Sequence, residues 1–339
     1  MANLAEIARR NWFLFGVLIS IFLAELAPKI GARGGPLKPE ITVKYLAVFL
    51  IFFVSGLSLR TDELTSAVFQ IKLHCFIQIF TLIFIPIFMQ IFVLSLSFLE
   101  IDEWILKGLL TVSCMPPPVS SAVILTKAVG GNEAAAIFNS ALGSLLGVVV
   151  TPLTLLYFLG MSTLVPLSNC MFQLILTVLA PLVFGQLMRN TGIQGFHKVH
   201  KHSAALSQTA LLFIIYSTFC DTFSGREEAG MSAHHVLSTV ALVVIVQLIL
   251  LYIAFAVASR LKNWFSPHDV VTILFCSTHK SLTLGVPILR VLFGGYSHLA
   301  QISLPLLIYH PTQILLGGML VSQLSYWLRK ARSRSAYSC

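Results

Sequence analysis

Long apolar runs separated by short polar stretches make up almost the whole chain. A helix needs about 20 apolar residues to cross the hydrocarbon core of a bilayer, and the runs are close to that length. The polar stretches are too short to hold a soluble domain or a long linker. We therefore predict a single polytopic, all-α integral membrane domain over residues 1–339. It has about ten transmembrane helices, near 12–28, 43–59, 73–97, 104–128, 134–160, 168–188, 203–224, 235–259, 269–293 and 299–328.

The composition excludes a water-soluble globular protein. Hydrophobic residues make up 57% of the chain and charged residues 10%, whereas a soluble domain carries about 25% charged residues. The formal net charge of +9 does not indicate a nucleic-acid partner, because the basic residues lie between the apolar runs and at the chain ends. Membrane proteins place basic residues there to fix their orientation. The partner over most of the surface is therefore predicted to be the lipid bilayer.

The basic residues are divided unequally between alternate loops. With ten spans and a cytoplasmic N-terminus, fourteen Lys and Arg residues fall inside and seven outside, while Lys280 lies within a span. Cytoplasmic loops carry the excess of Lys and Arg in membrane proteins, so both termini are predicted to be cytoplasmic. The segment from Lys29 to Lys44 is an exception, since it places four basic residues outside.

The fourth apolar run contains three consecutive prolines, Pro116, Pro117 and Pro118, followed closely by Ser120 and Ser121. Proline lacks the backbone N–H and clashes with the preceding helical turn. One proline would explain a kink, whereas three predict a break. Broken backbone inside a bilayer is tolerated only against protein or a water-filled cavity. We therefore predict an unwound span here, with the two serines supplying oxygens beside the break.

The ninth run contains a polar block, Ser277–Ser281, that includes Thr278, His279 and Lys280. A lysine at the centre of a span costs on the order of 3 kcal/mol or more, so it needs a partner or a function. The alternative is that its side chain reaches the membrane interface by snorkelling. Its position midway along the span makes that alternative the weaker one.

Matching elements recur five spans apart. Gln78 in the third run and Gln247 in the eighth have similar apolar neighbours, and the Gly-Gly pair at 130–131 corresponds to the pair at 294–295. Because five is odd, two such halves have opposite orientations, and inverted repeats are typical of secondary transporters. Broken helices at corresponding positions then mark the binding site, where half-helix ends offer N–H groups to an anion and carbonyl groups to a cation.

Other polar residues within the runs each have two interpretations. Asn139 and Ser140 in the fifth run either line the site or pack helices together. Asp221, near the end of the seventh run, either pairs with a basic residue or lies at the membrane interface. His310, which precedes Pro311 in the tenth run, marks either a kink or a functional group.

Three stretches, 34–40, 114–133 and 276–285, resemble the sodium/bile acid cotransporter family, and the resemblance extends over essentially the whole chain. It implies two inverted five-span repeats, near 10–160 and 166–330, whose broken fourth and ninth helices cross at the midplane. It also implies a core of spans 3–5 and 8–10 and a panel of spans 1–2 and 6–7. Family members bind sodium at the crossing and carry organic anions such as bile acids.

The family's sodium site is only partly matched. By resemblance, Gln78, Ser120, Ser121 and Ser140 correspond to the sodium region of spans three to five. Sodium-coupled members have an acidic residue and a Gln in the crossing motif of the ninth span, and the corresponding stretch of this chain, Ser277–Ser281, has no carboxylate. We expect Lys280 to replace one sodium ion, so that coupling is lost or becomes linked to protons. The full predicted solute and ion site comprises Gln78, Ser120, Ser121, Asn139, Ser140, Ser277, Thr278, His279, Lys280 and Ser281.

These observations predict a secondary carrier for a small anionic solute, without a cofactor, rather than an enzyme. The sequence has no metalloprotease, aspartate-rich or nucleophile-elbow motif, and its six cysteines show no CxxC spacing. An orphan member of the family is linked to calcium homeostasis and glycosaminoglycan formation, and it is placed in Golgi, endoplasmic reticulum and plasma membranes. By resemblance, the alternative is a non-transporting membrane protein that regulates calcium entry through partner machinery.

Overall fold

The computed structural model describes residues 12–58, 70–98, 101–118, 121–159, 172, 176–177, 180–190, 203–224, 233–293, 296 and 298–336. Every regular element in these ranges is helical. The longer α-helices, in chain order, are α1 (Trp12–Leu26), α2 (Val48–Ser58), α3 (Ile71–Ile79), α4 (Ile85–Leu96), α5 (Glu103–Ser113), α6 (Ser121–Val129), α7 (Glu133–Phe158), α8 (Ala180–Asn190), α9 (Ser203–Ser224), α10 (Ala233–Arg260), α11 (Pro267–Thr278), α12 (Leu282–Phe293) and α13 (Leu299–Ala336).

Within the described ranges, four helical stretches are long and apolar enough to cross a membrane: Ile71–Leu96, Glu133–Phe158, Val236–Arg260 and Leu299–Ala331. They agree within a few residues with the predicted runs 73–97, 134–160, 235–259 and 299–328. The all-helical fold and four of the predicted membrane-spanning helices are therefore confirmed. Part of the predicted run 168–188, together with the Gly-Gly pair at 294–295, lies outside the described residues.

Two of the predicted runs are helices interrupted in the middle. The run 104–128 forms α5 and α6, and the residues from Cys114 to Pro118 between them are not helical. The run 269–293 forms α11 and α12, separated by residues 279–281. The first interruption follows from the three prolines, which cannot donate the backbone bonds of a helix. Both breaks expected from the sequence are therefore present.

The helices that lead into the two breaks begin with strong caps. The carboxylate of Asp102 accepts hydrogen bonds from the amides of Trp104 and Ile105 at the start of α5. Ser266 and Asp269 form a reciprocal capping box at the start of α11. Side-chain caps satisfy backbone N–H groups that a helix cannot satisfy itself, typically for about 1 kcal/mol each.

The chain divides into two compact units. Unit 1 comprises Met1–Leu59, Ser162–Ser232 and Val286–Ser303, and unit 2 comprises Arg60–Met161, Ala233–Gly285 and Leu304–Cys339. In unit 1, α2 packs closely on α8 because glycines remove the side chains between them. A Cβ on Gly56 would overlap the carbonyl oxygen of Leu182, and one on Gly185 would overlap that of Phe53. Small residues allow this close approach between membrane helices.

Candidate functional site

The breaks of the two interrupted helices lie inside unit 2, where their non-helical residues contact each other. The amide of Ser281 donates to the carbonyl oxygen of Pro116 at 2.8 Å, which joins the two breaks directly. We call the residues from Cys114 to Pro118 together with 279–281 the crossing. All of these side chains are buried. Backbone groups freed by the breaks must therefore find their partners within the protein.

Lys280 is fully buried and supplies several of those partners itself. Its Nζ donates to the carbonyl oxygens of Ser113 and Met115 at 2.9 Å each. It also contacts the carbonyl oxygen of Thr81 at 2.8 Å and the hydroxyl of Thr81 at 3.0 Å. Each of these four oxygens is neutral, and among the described residues no carboxylate pairs with Nζ. An ammonium enclosed by neutral oxygens is the arrangement that a protein offers to a bound monovalent cation.

The carbonyl of Thr81 is available because the helix around it has a wider turn. Residues Phe80–Phe84, between α3 and α4, form a π-helical segment in which the amide of Ile85 bonds to Phe80 instead of Thr81. The corresponding donor for Thr81 in a π-helix would be residue 86, which is proline and has no N–H. The carbonyl of Thr81 therefore has no donor within its own helical ladder, and the ammonium of Lys280 takes that place.

Several other carbonyl groups at the crossing also have donors. The hydroxyl of Thr151 donates to Cys114 at 2.7 Å, and the hydroxyl of Tyr309 donates to Thr278 at 2.8 Å. The amide of Gln313 pairs with both backbone groups of Lys280, accepting from its N–H at 2.7 Å and donating to its carbonyl at 3.0 Å. The carbonyl groups of Cys114, Thr278 and Lys280 therefore have donors from the chain itself.

His279 lies on a different side of the crossing from the ammonium. Its backbone is extended, with φ −77° and ψ 143°, so that neighbouring side chains diverge. Its Nδ1 lies 3.4 Å from the hydroxyl of Ser121 on α6. Its Nε2 is buried and has no hydrogen-bond partner among the described residues. A buried polar nitrogen of this kind is a candidate contact for a ligand.

Two further predicted residues form a buried pair beside the crossing. The Nε2 of Gln78 donates to the backbone oxygen of Asn139 at 3.0 Å and contacts its side-chain oxygen at 3.3 Å. The amide of Asn139 lies 2.9 Å from Nδ1 of His74 and donates to the carbonyl of Ala135 at 2.8 Å. The side-chain oxygen of Gln78 has no partner among the described residues.

Three of the remaining predicted polar residues have a polar neighbour, and Ser277 has none among the described residues. The hydroxyl of Thr278 donates to Leu274 in its own helix, and that of Ser281 lies 3.1 Å from Thr283. The hydroxyl of Ser140 faces the thiol of Cys276 at 4.0 Å. The hydroxyl of Ser277 is buried without a partner among the described residues.

Ser120 lies outside the described residues. Unit 2 thus brings Ser121, His279, Lys280 and Ser281 together at the crossing, with Gln78, Asn139 and Ser140 on the adjacent helices α3 and α7.

Sequence reasoning missed the residues that hold the lysine and close the breaks: Thr81, Ser113, Met115, Thr151, Tyr309 and Gln313. Three of them act through backbone carbonyl groups, which carry no residue-specific signal. Thr151 and Gln313 are polar positions within apolar runs, and that feature could have marked them as candidates.

Glycines on α7 allow it to pack against the proline break. A Cβ on Gly143 would overlap the ring of Pro117, and one on Gly147 would overlap that of Pro116. The two glycines are four residues apart, so they lie on the same face of the helix. The prolines of the break therefore pack directly against this face of α7.

The family model described as the SBF-like CPA transporter family matches residues 11–326 of the chain. The chain belongs to this family. It is 53% identical to sodium/bile acid cotransporter 7-B of Xenopus laevis, over 97% of this chain and 96% of that protein. It is 54% identical to sodium/bile acid cotransporter 7 of Mus musculus, over 96% of each chain. It is 25% identical to solute carrier RCH1 of Saccharomyces cerevisiae, over 97% of this chain and 86% of that protein.

The resemblance to the sodium/bile acid cotransporter family is therefore confirmed over nearly the full chain. Membership in a transporter family, together with several apolar helices, identifies an integral multi-pass membrane protein that faces the lipid bilayer and handles a small solute. The relatives carry the names of cotransporters and a solute carrier, which favours a carrier over an enzyme.

Proposed function

We propose that this protein is a secondary carrier for a small anionic solute, in which the ammonium of Lys280 stands permanently where a coupling sodium ion would otherwise bind. The observation that supports the proposal most directly is the enclosure of Nζ by four neutral oxygens at the crossing of two broken helices. Transport then follows from movement of one repeat against the other around a fixed site.

The carbonyl oxygens that already have donors at the crossing support transport without sodium. A bound cation needs several oxygen ligands at once, and the carbonyl oxygens of Thr81, Ser113 and Met115 already accept from Nζ. Those of Cys114 and Thr278 accept from side-chain hydroxyl groups. A sodium ion would have to displace a tethered ammonium that carries the same charge. Sodium is therefore not expected to bind to the wild-type protein.

The charge of Lys280 supports an anionic solute. Among the described residues Lys280 has no counter-charge, and a buried charge left without its partner typically costs about 3–5 kcal/mol. A bound anion would supply that counter-charge. α12 begins at Leu282, directly after the crossing, and α6 begins at Ser121, whose hydroxyl lies near His279. The N-terminal end of a helix favours negative charge. An anion bound beside Ser121 and the free nitrogen of His279 would meet both the ammonium field and these helix ends.

The proposal includes ten spans in two inverted repeats, with both termini cytoplasmic. Its support is a shared order of elements: a long apolar stretch, a broken pair and another long helix. This order runs from Ile71–Leu96 through α5 and α6 to α7, and again from α10 through α11 and α12 to α13. The division into core and panel spans, the Golgi, endoplasmic reticulum and plasma membrane locations, and the link to glycosaminoglycan formation stay predictions that rest on the resemblance.

The test is thermal unfolding of the purified protein in sodium against equimolar choline. The wild type should unfold at the same temperature in both salts. Lys280→Ala leaves the four oxygens without their ammonium, so sodium should raise its unfolding temperature. At ten times its dissociation constant, sodium would add about 1.4 kcal/mol, or roughly 2 °C for a chain of this length.

Two control variants separate ion binding from general effects. Lys280→Met removes the charge but keeps the bulk of the side chain, so it should show no sodium response. Lys127→Gln removes an exposed lysine that pairs with Glu133, and it should behave as the wild type does. A sodium-specific rise in the wild type would refute the replacement of sodium by Lys280 and would favour sodium symport.

The alternative, a non-transporting regulator of calcium entry, requires no solute at the crossing. It is distinguished by screening small organic anions for stabilisation of the wild type and of Lys280→Met. The carrier proposal predicts at least one anion that stabilises the wild type and not the variant. If no anion does so, the regulator becomes the better account.

A further inference from the structure

The apolar stretch Ile71–Leu96 in unit 2 carries two neighbouring columns of large side chains, each with one residue at every fourth position. The first is a stack of five phenylalanine rings whose consecutive centroids lie 4.7–6.2 Å apart: Phe76, Phe80, Phe84, Phe88 and Phe92. The second consists of isoleucines that are each at least half exposed: Ile79, Ile83, Ile87 and Ile91. Residues four apart form a ridge on a helix, and a groove lies between two such ridges. We call the groove between these columns the aromatic groove.

The length of the aromatic groove matches the depth of a bilayer. From Phe76 to Phe92 the helix rises by about 24 Å, at about 1.5 Å per residue. The hydrocarbon core of a bilayer is about 30 Å thick, so one leaflet contributes about 15 Å. The section from Phe76 to Phe84 therefore has about the length of an acyl chain in one leaflet. Phe84 is 38% exposed, so this section is open to such a chain.

A turn between α10 and α11 lies at the end of the groove where α3 begins. The amides of Trp264 and Phe265 both donate to the carbonyl of Leu261, at 2.9 and 3.1 Å, which closes the turn. The ring of Phe265 is buried and meets the ring of Phe76 edge-on, with centroids 5.2 Å apart. The indole of Trp264 is 58% exposed. Tryptophan is enriched at the interface between membrane and water, which suits the end of a membrane-spanning helix.

Basic side chains surround this indole without acidic partners. The Nζ of Lys72 on α3 lies 5.5 Å from the centre of the Trp264 ring. Arg260 and Lys262 flank the same turn in sequence, and all three basic side chains are exposed. Among the described residues, none of the three forms an ion pair. A basic residue near an anionic membrane surface contributes about 1 kcal/mol of attraction.

A second lysine and tryptophan pair in the same unit has its charge already balanced. The Nζ of Lys107 lies 4.2 Å from the centre of the Trp104 ring, and it also lies 2.6 Å from a carboxylate oxygen of Glu103. The arrangement at Lys72 has the ring and the cation but no carboxylate among the described residues. The position that Glu103 fills for Lys107 is therefore open to an external anionic group at Lys72.

We propose that this surface binds one anionic phospholipid, with its phosphate beside Lys72 and Trp264 and an acyl chain in the aromatic groove. Charge complementarity favours this occupant, because a soluble anion would use only the cations and a neutral lipid only the groove. The proposed topology places this end of α3 at the cytoplasmic leaflet, where anionic lipids are concentrated. Only the choice of leaflet rests on that topology. The chain would pack along the π-helical segment Phe80–Phe84, which includes the carbonyl of Thr81 that receives Lys280.

The test is native mass spectrometry of the full-length protein, titrated with phosphatidylglycerol or with phosphatidylcholine of the same acyl chains. The wild type should bind one phosphatidylglycerol at least about tenfold more tightly than phosphatidylcholine. Lys72→Gln should weaken phosphatidylglycerol binding about fivefold and leave phosphatidylcholine binding unchanged. Lys107→Gln removes the lysine that Glu103 already neutralises, so it is the matched control and should bind both lipids as the wild type does.

The groove is tested by a separate pair of variants. Phe84→Ala removes a partly exposed ring from the column, so it should weaken both lipids by about fivefold, because their acyl chains are identical. Phe84→Leu keeps an apolar side chain and should give a smaller loss in the same direction. Phe98→Ala changes a ring that is 89% exposed and lies outside the column, and it should change neither affinity.

Two further measurements distinguish a bound lipid from other sources of the same attraction. Glycerol phosphate carries the charged group without an acyl chain, and it should not displace phosphatidylglycerol. Arg329→Gln removes an exposed basic residue on α13, and it should leave phosphatidylglycerol binding unchanged.

The proposal would be overturned by equal wild-type affinity for the two lipids, or by displacement with glycerol phosphate. An equal loss in Lys72→Gln and in either charge control would also overturn it, because the attraction would then be a general one. The same holds if Phe84→Ala leaves both affinities unchanged. None of these readouts involves Lys280, sodium or a transported solute, so they stand apart from the test of the proposed carrier function.

Discussion

The hydrogen bonds that occupy the carbonyl groups of the crossing can be tested by removing a single hydroxyl. Thr151 on α7 is fully buried, and its hydroxyl donates to the carbonyl of Cys114 at 2.7 Å. Thr151→Val replaces this hydroxyl with a methyl group of similar size. The buried carbonyl of Cys114, within a proline-interrupted segment, would then lose its donor. A buried polar group left without a partner costs about 1–3 kcal/mol.

This cost converts into a measurable loss of thermal stability. With an unfolding entropy of about 2.1 cal/mol/K per residue, a chain of 339 residues should lose roughly 1–4 °C in detergent. The control is Thr312→Val on α13. The hydroxyl of Thr312 bonds to the carbonyl of Ile308 in its own helix, so its loss should cost less than about 0.5 kcal/mol. Equal shifts for the two variants would refute the reasoning.

Two further predictions concern packing and the backbone of the lysine. Gly147→Ala should destabilise the protein because its Cβ would overlap Pro116, whereas Gly318→Ala, with open space around it, should be neutral or slightly stabilising in the same unfolding assay. Gln313→Leu leaves both backbone groups of Lys280 unpaired and should cost about 2–4 kcal/mol, more than Thr151→Val. A smaller loss for Gln313→Leu than for Thr151→Val would contradict the assigned pairing.

The breaks could be predicted from the sequence because proline chemistry acts locally. Pro116–Pro118 cannot continue a helix whatever surrounds them, and the structure is interrupted there. The polar block around Lys280 was equally visible, because polar residues stand out against an apolar run. Both signals depend on residue type and position alone. The long apolar helices were predicted for the same reason.

The environment of the lysine could not be predicted, because it is made largely of backbone oxygens. The carbonyl of Thr81 becomes available only through the combination of a π-helical turn and Pro86, and a carbonyl looks the same in every residue. The pairing of Asp221 with Arg290 depends on which helices are neighbours. A single sequence allowed either pairing or an interfacial position for Asp221. Such long-range choices are made by packing, not by local pattern.

The ammonium that donates to the third apolar stretch comes from Lys280, a residue late in the amino-acid sequence. Lys280 lies 199 residues after Thr81, whose carbonyl it completes, and 167 residues after Ser113. During synthesis the N-terminal half is therefore inserted with oxygens that have no donor until the ninth apolar run emerges. A ribosome adds about 5–20 residues per second, so these groups wait on the order of ten seconds or more. Chains that end before Lys280 should consequently be recognised as unfinished by membrane quality control.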